Sequence, residues 1–112
     1  MQTPNYLELN ATDMAATKSF YTKAFGFDFT DYGPEYSGAN NDVMEIGLTR
    51  NETPVPPLPG FQTSDIAAAE RDIRDAGGTI TKAVYEFPGG RRFHFRDPSG
   101  NEMLAYQYEE QG

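Results

Sequence analysis

The chain contains no cysteine and no tryptophan, and it has a single histidine. Without cysteine it can form no disulfide, no thiol nucleophile and no cysteine-ligated zinc site. Long apolar runs are also missing. No stretch approaches the roughly 20 residues that span a bilayer, and the first residues do not form a basic and apolar leader. These absences predict a cytoplasmic protein with no membrane partner.

Basic residues are scarce: 9 Lys and Arg stand against 17 Asp and Glu, which gives a formal net charge of −8 at pH 7. Such a chain repels phosphate backbones, so we expect no nucleic acid partner. Aromatic residues are plentiful, with eight Phe and seven Tyr in 112 residues, and they can fill one core. The length predicts a single domain over residues 1–112 whose partner is a small-molecule ligand.

Two segments of the chain share one layout. In each, a strand-like run leads to an aspartate, a helical stretch follows, and glycine closes it: Asp13 to Gly26, then Asp65 to Gly78, each spanning 13 positions. Aspartate caps the free N–H groups of a first helical turn, and glycine adopts the left-handed conformation that ends helices. The repeated signals indicate a duplicated unit.

Three short alternating runs follow each helix and predict the order β-α-β-β-β in both halves. A proline-rich linker, 51–57, separates module one, 4–50, from module two, 58–108. The predicted strands of module one are 6–10, 27–32, 35–40 and 43–49, with a helix at 14–25. Those of module two are 58–63, 79–84, 91–96 and 102–108, with a helix at 66–76.

Short motifs accompany this order: Phe20-Tyr21 and Phe25-Gly26 in the first helix, and Asp97-Pro-Ser-Gly-Asn101 before the last strand. With them the sequence resembles the vicinal oxygen chelate superfamily of glyoxalase I, extradiol dioxygenases and bleomycin resistance proteins, and most of all its compact glyoxalase-related members. The resemblance covers residues 4–108. It implies an α+β fold of two tandem βαβββ modules, whose curved mixed sheets surround a cavity with the helices outside, and it implies a homodimer.

Strand alternation sorts residues between the helix-facing side and the cavity side of such sheets. Leu7, Leu9, Ile46, Leu48 and Phe61 are predicted to face the helices. The predicted cavity side comprises Tyr6, Glu8, Asn10, Val43, Glu45, Gly47, Leu58, Gly60, Gln62, Arg92, His94, Arg96, Glu102, Leu104, Tyr106 and Tyr108.

Metal-dependent members of the superfamily resemble one another in using four His, Glu or Gln ligands, taken from the first and last strands of each module. The resemblance places Tyr6, Glu45, Leu58 and Leu104 at those positions. Of these four side chains, only that of Glu45 could bind a metal well. One carboxylate does not replace the water of a divalent cation. We therefore expect no cofactor and no Ni, Mn, Fe or Zn. A dioxygenase triad would need two histidines, and the chain has one.

The candidate catalytic residues are Glu8, Glu45 and His94, because a buried carboxylate or an imidazole can move a proton. Arg92 would stabilise developing negative charge. Alternatives stay open for each of these residues. Glu8, Glu45 and Gln62 could form a displaced metal site, or they could simply hydrogen-bond water or one another in a polar groove. His94 could be an ordinary strand histidine held by Asp97 or Glu102. The candidate ligand-binding residues are Tyr6, Gln62, Arg92, Leu104 and Tyr106.

Two functions fit these residues. One is a metal-independent enzyme of the lyase or isomerase type, acting on a small oxygenated metabolite. The other is a non-catalytic protein of the bleomycin-resistance type, which would sequester a cationic or aromatic compound because the chain is acidic. The tyrosines could stack on a flat ligand or seal a subunit interface.

Overall fold

The computed structural model describes residues 1–109. Its element order is strand, helix, three strands, repeated once, which confirms the predicted α+β fold of two βαβββ modules. The first half contains β1 (Tyr6–Ala11), α1 (Met14–Phe25), β2 (Phe29–Asp31), β3 (Tyr36–Asn40) and β4 (Glu45–Arg50). The second contains β5 (Leu58–Gln62), α2 (Ile66–Asp75), β6 (Thr79–Phe87), β7 (Gly90–Arg96) and β8 (Glu102–Tyr108).

The described chain forms two compact units. The N-terminal unit is Asn5–Leu58, and the C-terminal unit comprises Met1–Pro4 with the residues from Pro59 onward. In the N-terminal unit the strand order is β2-β3-β4-β1, with β1 parallel to β4 and the other pairs antiparallel. The C-terminal unit repeats this pattern as β5-β8-β7-β6, with β5 parallel to β8.

Both helices begin where the sequence predicts. The Asp13 carboxylate accepts a hydrogen bond from Ala16 N at 3.0 Å, and the Asp65 carboxylate accepts one from Ala68 N at 3.1 Å. At the end of α1, Gly26 has a φ of 74°, which is the left-handed conformation that favours glycine. The repeated aspartate caps therefore set the same helix start in each half, whereas α2 ends at Asp75 with Ala76, not a glycine, as its cap.

The C-terminal unit has a well-buried core between α2 and its sheet. Ile66, on the first turn of α2, is 2% exposed and packs with Phe93, Phe95 and Ala105 from β7 and β8. Phe93 is fully buried. Alternation along β7 explains this arrangement, because the two phenylalanines share one face and leave Arg92 and His94 on the other.

The apolar stripe of α1 behaves differently from that of α2. No residue of α1 is buried; Phe20 is 57% exposed and Phe25 is 69% exposed. Instead their rings contact one another at 6.4 Å between centroids, and Tyr21 stacks on Phe27 at 5.2 Å. The stripe thus forms an aromatic cluster at the helix surface.

Most strand boundaries differ from the predicted ones by one to three residues, and β2 and β6 are two clear cases. β2 covers only Phe29–Asp31, because Phe27 N donates to Tyr21 O at 3.3 Å and so completes the end of α1. β6 continues to Phe87, past the predicted end at residue 84, and its pairing with β7 contains two register shifts.

Candidate functional site

One face of the N-terminal sheet gathers polar side chains from three strands. In the register, Tyr6 lies opposite Glu45 and Glu8 opposite Gly47, while Tyr36 lies opposite Thr49 on the next strand. Residues paired in this way point to the same side of a sheet. We call this surface the Glu8 face; it comprises Tyr6, Glu8, Asn10, Tyr36, Gly38, Glu45, Gly47 and Thr49.

Glu8 is the buried carboxylate of this face, with only 5% of its surface exposed. The Tyr6 hydroxyl donates to Glu8 Oε1 at 3.3 Å, and the Tyr36 hydroxyl lies 3.3 Å from the Tyr6 hydroxyl. Because a tyrosine has one hydroxyl proton, Tyr6 must accept from Tyr36 when it donates to Glu8. The three groups can therefore act as a chain of proton donors that ends at a carboxylate.

Gly47 makes room for this chain on the central strand β4. A Cβ added there would overlap the hydroxyls of Tyr6 and Tyr36, and it would lie 2.9 Å from Tyr6 Cζ. Any larger residue at this position would displace the tyrosines from above the sheet. The absence of a side chain at Gly47 is thus part of the site's geometry.

Asn10 adds a donor to the same face, two residues along β1 from Glu8. Its Oδ1 accepts a hydrogen bond from the side chain of Asn51. Its Nδ2 is buried and has no hydrogen-bond partner among residues 1–109. Buried N–H groups are rarely left unpaired, so this amide is available to an incoming acceptor.

A second polar cluster lies on β6 and β7 of the C-terminal unit. His94 Nε2 is 2.8 Å from the Tyr85 hydroxyl, and Arg92 Nε donates to that hydroxyl. Lys82 Nζ lies over the Tyr85 ring, 4.1 Å from its centroid. We call Lys82, Tyr85, Arg92 and His94 the Tyr85 cluster.

His94 contacts Tyr85 and Arg92, and the two nearby carboxylates, Asp97 and Glu102, contact other groups. Asp97 accepts from Ser99 N at 2.9 Å and from Asn101 Nδ2 at 2.8 Å in the turn before β8. Glu102 accepts from the Thr81 hydroxyl at 2.9 Å.

Two carboxylates outside these clusters have shifted acidity. Hydrogen bonds from Asn101 lower the pKa of Asp97 below its ordinary value, with further bonds from the Ser99 and Gly100 backbone. A bond from Lys18 at 2.7 Å, followed by one from Ser37, lowers the pKa of Asp31. Asp31 is exposed and Asp97 is half-buried, and the partners of both carboxylates belong to a turn or to the surface, so their shifts serve structure.

The structure places the remaining predicted site residues as follows. Leu58, Leu104 and Tyr106 are buried, Glu45 is half-buried, and Gln62 is exposed. Gln62 and Tyr106 are paired in register, as are Leu104 and His94. Val43 does not belong to this set, because it precedes β4 and is 86% exposed.

At the positions where the family resemblance places metal ligands, this chain has Tyr6, Glu45, Leu58 and Leu104. Tyr6 and Glu45 offer one phenol and one carboxylate, while Leu58 and Leu104 are aliphatic and buried. Residues 1–109 contain no group of three or more His, Asp or Glu side chains arranged to hold a metal ion. A divalent ion usually takes more oxygen and nitrogen donors than Tyr6 and Glu45 supply, and the absence of a metal stays a prediction.

Sequence reasoning missed the structural roles of Lys82, Tyr85 and Tyr36. Alternation puts residues 82 and 85 on opposite faces of a regular strand, and only the register shifts of β6 bring them together. No local sequence signal marks those shifts. Tyr36 and Tyr85 were both expected among the tyrosines that could stack on a ligand, but the contact of Tyr36 with Tyr6 depends on the pairing of β3 with β4.

Among residues 1–109, neither helix is long and apolar enough to cross a membrane.

The model of the Glyoxalase/Bleomycin resistance protein/Dioxygenase superfamily matches residues 3–103. An uncharacterized protein of Mycolicibacterium smegmatis is 30% identical over 95 residues, which cover 80% of this chain and 78% of the relative. The putative glyoxylase CFP32 of Mycobacterium bovis is 27% identical over 121 residues. That match covers 94% of this chain but 45% of CFP32, so the chain spans about half the length of this relative.

The fold is also similar to solved structures. Methylmalonyl-CoA epimerase from Mycobacterium tuberculosis superposes with a TM-score of 0.73 and 13% identity, over 96% of this chain and 88% of the epimerase. At that identity the likeness concerns the fold alone. The match of the family model over most of the sequence, together with the repeated βαβββ order, shows that this chain belongs to the Glyoxalase/Bleomycin resistance protein/Dioxygenase superfamily.

Proposed function

We propose that this protein is a cytoplasmic enzyme of the isomerase or lyase type, which moves a proton on a small oxygenated metabolite without the superfamily's metal. One observation carries the proposal: Glu8 is 5% exposed and sits beside the Tyr6 hydroxyl on the Glu8 face. Removing a carboxylate from water costs several kcal/mol unless it is compensated. A carboxylate kept at such a position is a candidate for chemistry.

The proposed step is the removal of a proton from the carbon next to a carbonyl group. The Glu8 carboxylate takes the proton, and the electron pair of the C–H bond becomes the C=C bond of an enolate, with its charge on oxygen. Return of the proton to the other face gives an epimer, return to another atom gives an isomer, and loss of a neighbouring group gives a lyase product. None of these steps needs an oxidant or reductant.

Other residues of the Glu8 face have roles in this proposal. The unpaired Nδ2 of Asn10 donates to the enolate oxygen, where a preorganised donor is worth most. Glu45, half-buried on the same face, is the second acid–base candidate. Tyr6 and Tyr36 orient the Glu8 carboxylate through their hydroxyls.

An NMR assay in D₂O tests the proposal. The probes are methylmalonyl-CoA, small 2-oxo acids and hydroxyketones, each incubated with the protein in EDTA or with added Ni²⁺, Mn²⁺, Fe²⁺ or Zn²⁺. We expect one class of probe to exchange the hydrogen next to its carbonyl in EDTA as fast as with metal. Exchange that requires an added metal would contradict the metal-independent mechanism.

A second candidate function is sequestration of a cationic or aromatic compound. It is favoured by the Tyr32 and Tyr36 rings, whose centroids lie 6.0 Å apart beside the Glu8 face, and by the net charge of −8. Tyrosine rings stack on flat ligands and attract cations. Stabilisation by such compounds in a thermal-shift screen, with no exchange of any probe, would favour this function over the enzyme.

A further inference from the structure

The outward side of α1 carries an exposed row of apolar residues. The half-buried side of this helix has residues at helical spacing: Met14, Thr17, Lys18 and Tyr21. On the other side Ala16, Phe20 and Ala24 follow one another at intervals of four residues, and all three are exposed. Phe20 stands in the middle of the row and is 57% exposed. We call this row, together with the neighbouring Lys23, the α1 face.

Aromatic rings continue from the α1 face to the edge of the sheet. The Phe20 ring contacts that of Phe25, which is 69% exposed, at 6.4 Å between centroids. Phe25 contacts Phe27 at 6.4 Å, and Phe27 contacts Phe29 on the edge strand β2 at 5.8 Å. A contiguous apolar surface in contact with water marks an interaction site, and aromatic residues are enriched in protein–protein interfaces.

The charges at the two ends of α1 are of opposite sign. The helix contains two lysines and no acidic residue. Lys18 is paired with Asp31 at 2.7 Å, whereas Lys23, in the last turn, forms no ion pair within residues 1–109. At the other end, the Asp13 carboxylate that caps the helix is exposed. A helix with opposite charges at its two ends complements a second copy of itself that runs antiparallel, and the helix dipoles then also attract.

An antiparallel pair of α1 helices, related by a two-fold axis at Phe20, uses all of these features. Ala16 then faces Ala24 of the second copy, and the small side chains on either side leave room for the two Phe20 rings to pack. Lys23 lies four residues, or about 6 Å along the axis, from Asp13 of the second copy. An extended lysine side chain spans that distance.

We propose that the α1 face binds the same face of a second copy of this chain, as an antiparallel helix pair with its two-fold axis at Phe20. A stable interface buries about 800 Å² per partner, more than one face of a 12-residue helix offers, so the pair dissociates on dilution. An anionic membrane is a poorer occupant, because the net charge of −8 opposes it. The pairing does not depend on Glu8 being catalytic.

Sedimentation measurements over a range of concentrations test the pairing in the full chain. We expect a reversible equilibrium between the 12.5 kDa chain and twice that mass. Phe20→Ala should raise the dissociation constant by about tenfold or more, because the ring at the centre of the contact is lost from both copies. Tyr32→Ala removes a ring that is 68% exposed elsewhere in the same unit, and it should leave the constant unchanged.

Two charge-reversed variants test the antiparallel geometry. Lys23→Glu and Asp13→Lys each bring like charges together in their own dimers, so each alone should be monomeric where the wild type is a dimer. An equimolar mixture of the two restores both pairs of opposite charge and should form a heterodimer. Arg71→Glu makes the same charge change on the exposed side of α2 and should dimerise like the wild type.

Three results would overturn the proposal: a wild-type chain that stays at 12.5 kDa at every concentration, equal association of Phe20→Ala and Tyr32→Ala, or a mixture that associates no better than its two components. Sedimentation with phosphatidylcholine–phosphatidylglycerol vesicles that Phe20→Ala abolishes would also overturn it, in favour of a membrane.

Circular dichroism shows whether each variant is folded. If Asp13→Lys is not, Asp13→Asn keeps a capping side chain and should still weaken the pair. The deuterium exchange assay of Glu8 is read separately from association, so failure of this proposal and failure of the proposed function are distinguishable.

Discussion

Gly47 is the residue whose missing side chain shapes the Glu8 face. We predict that Gly47→Ala lowers the free energy of unfolding by about 1–3 kcal/mol, as overpacking in a well-filled site does. The added methyl group would overlap the Tyr6 and Tyr36 hydroxyls and force buried Tyr6 to move. Urea unfolding monitored by circular dichroism measures the change.

Gly38 provides the matched control, because it is the cross-strand partner of Gly47. A Cβ at Gly38 would lie 3.3 Å from the ring of Tyr32, a side chain that is 68% exposed and can turn away. Gly38→Ala should therefore cost no more than about 0.5 kcal/mol, as for a surface change. Equal losses in the two variants would show that the tyrosines do not fill the space above Gly47.

The lowered pKa of Asp97 predicts that this carboxylate contributes to stability in a pH-dependent way. Its folded pKa is lowered from 3.8, chiefly by the bond from Asn101, so the carboxylate stabilises the fold above that pH. The contribution falls as the pH drops through the folded pKa, where the native carboxylate is protonated. We expect Asp97→Asn to lower the Tm by a few degrees at pH 7, and the gap to close as the pH falls below 3.8 and through the lowered folded pKa of Asp97.

Thermal unfolding of the wild-type and Asp97→Asn proteins between pH 7 and pH 2 measures that gap. The matched control is Asp72→Asn on the exposed surface of α2, which should show no such pH dependence. A Tm gap that stays constant down to pH 2 would mean that the charge of Asp97 does not stabilise the turn.

Some residue-level features follow from sequence, and others do not. The caps at Asp13 and Asp65 could be predicted, because an aspartate before an apolar helical pattern has few other local uses. Alternation along β1 places Glu8 on the same face as Tyr6, where it is 5% exposed. Within the Tyr85 cluster, the shared face of Arg92 and His94 followed from alternation, but the approach of Lys82 and Tyr85 could not be predicted, because the register shifts of β6 leave no local pattern.

At the scale of elements, α1 and α2 have equivalent caps but unequal packing. α2 buries Ile66 against Phe93 and Phe95, whereas α1 buries none of its residues. We predict that Ile66→Ala lowers the free energy of unfolding by about 2–5 kcal/mol, through lost burial and the cavity left behind. Phe25→Ala removes a larger side chain but should cost less than about 1 kcal/mol, because the ring is exposed.

Urea unfolding of the two variants gives both free energies. A loss for Phe25→Ala as large as that for Ile66→Ala would contradict the exposed position of α1.

The sequence predicted where both helices begin and end to within a residue. It did not predict the difference in their burial. The aromatic stripe of α1 has the spacing of a core-facing stripe, and that spacing is the same whether the stripe is buried or exposed.

At the scale of the whole molecule, the duplicated order was the feature most readily predicted. The caps repeat, the strands alternate, and a proline-rich stretch separates the halves, so the βαβββ order could be assigned twice. The family also followed from this order and its motifs. The reaction did not, because a fold that hosts many activities leaves the chemistry to a few side chains.

The homodimer implied by the family resemblance stays a prediction. We expect light scattering after size-exclusion chromatography to give a mass of twice the 12.5 kDa chain at micromolar concentration. A mass of one chain that does not change over a wide range of concentration would contradict it. A Phe25→Ala sample run beside the wild type shows whether α1 takes part.

The most direct measurement of the proposed function compares Glu8→Gln with the wild-type protein in the deuterium exchange assay, on whichever probe the wild type exchanges. Gln keeps the shape of the side chain but cannot accept the proton, so we predict a loss of about 10²-fold or more in rate. Glu35→Gln, a surface carboxylate paired with Arg50 in the same unit, should exchange at the wild-type rate. A folded Glu8→Gln protein that exchanges as fast as wild type would contradict the assignment of Glu8 as the base.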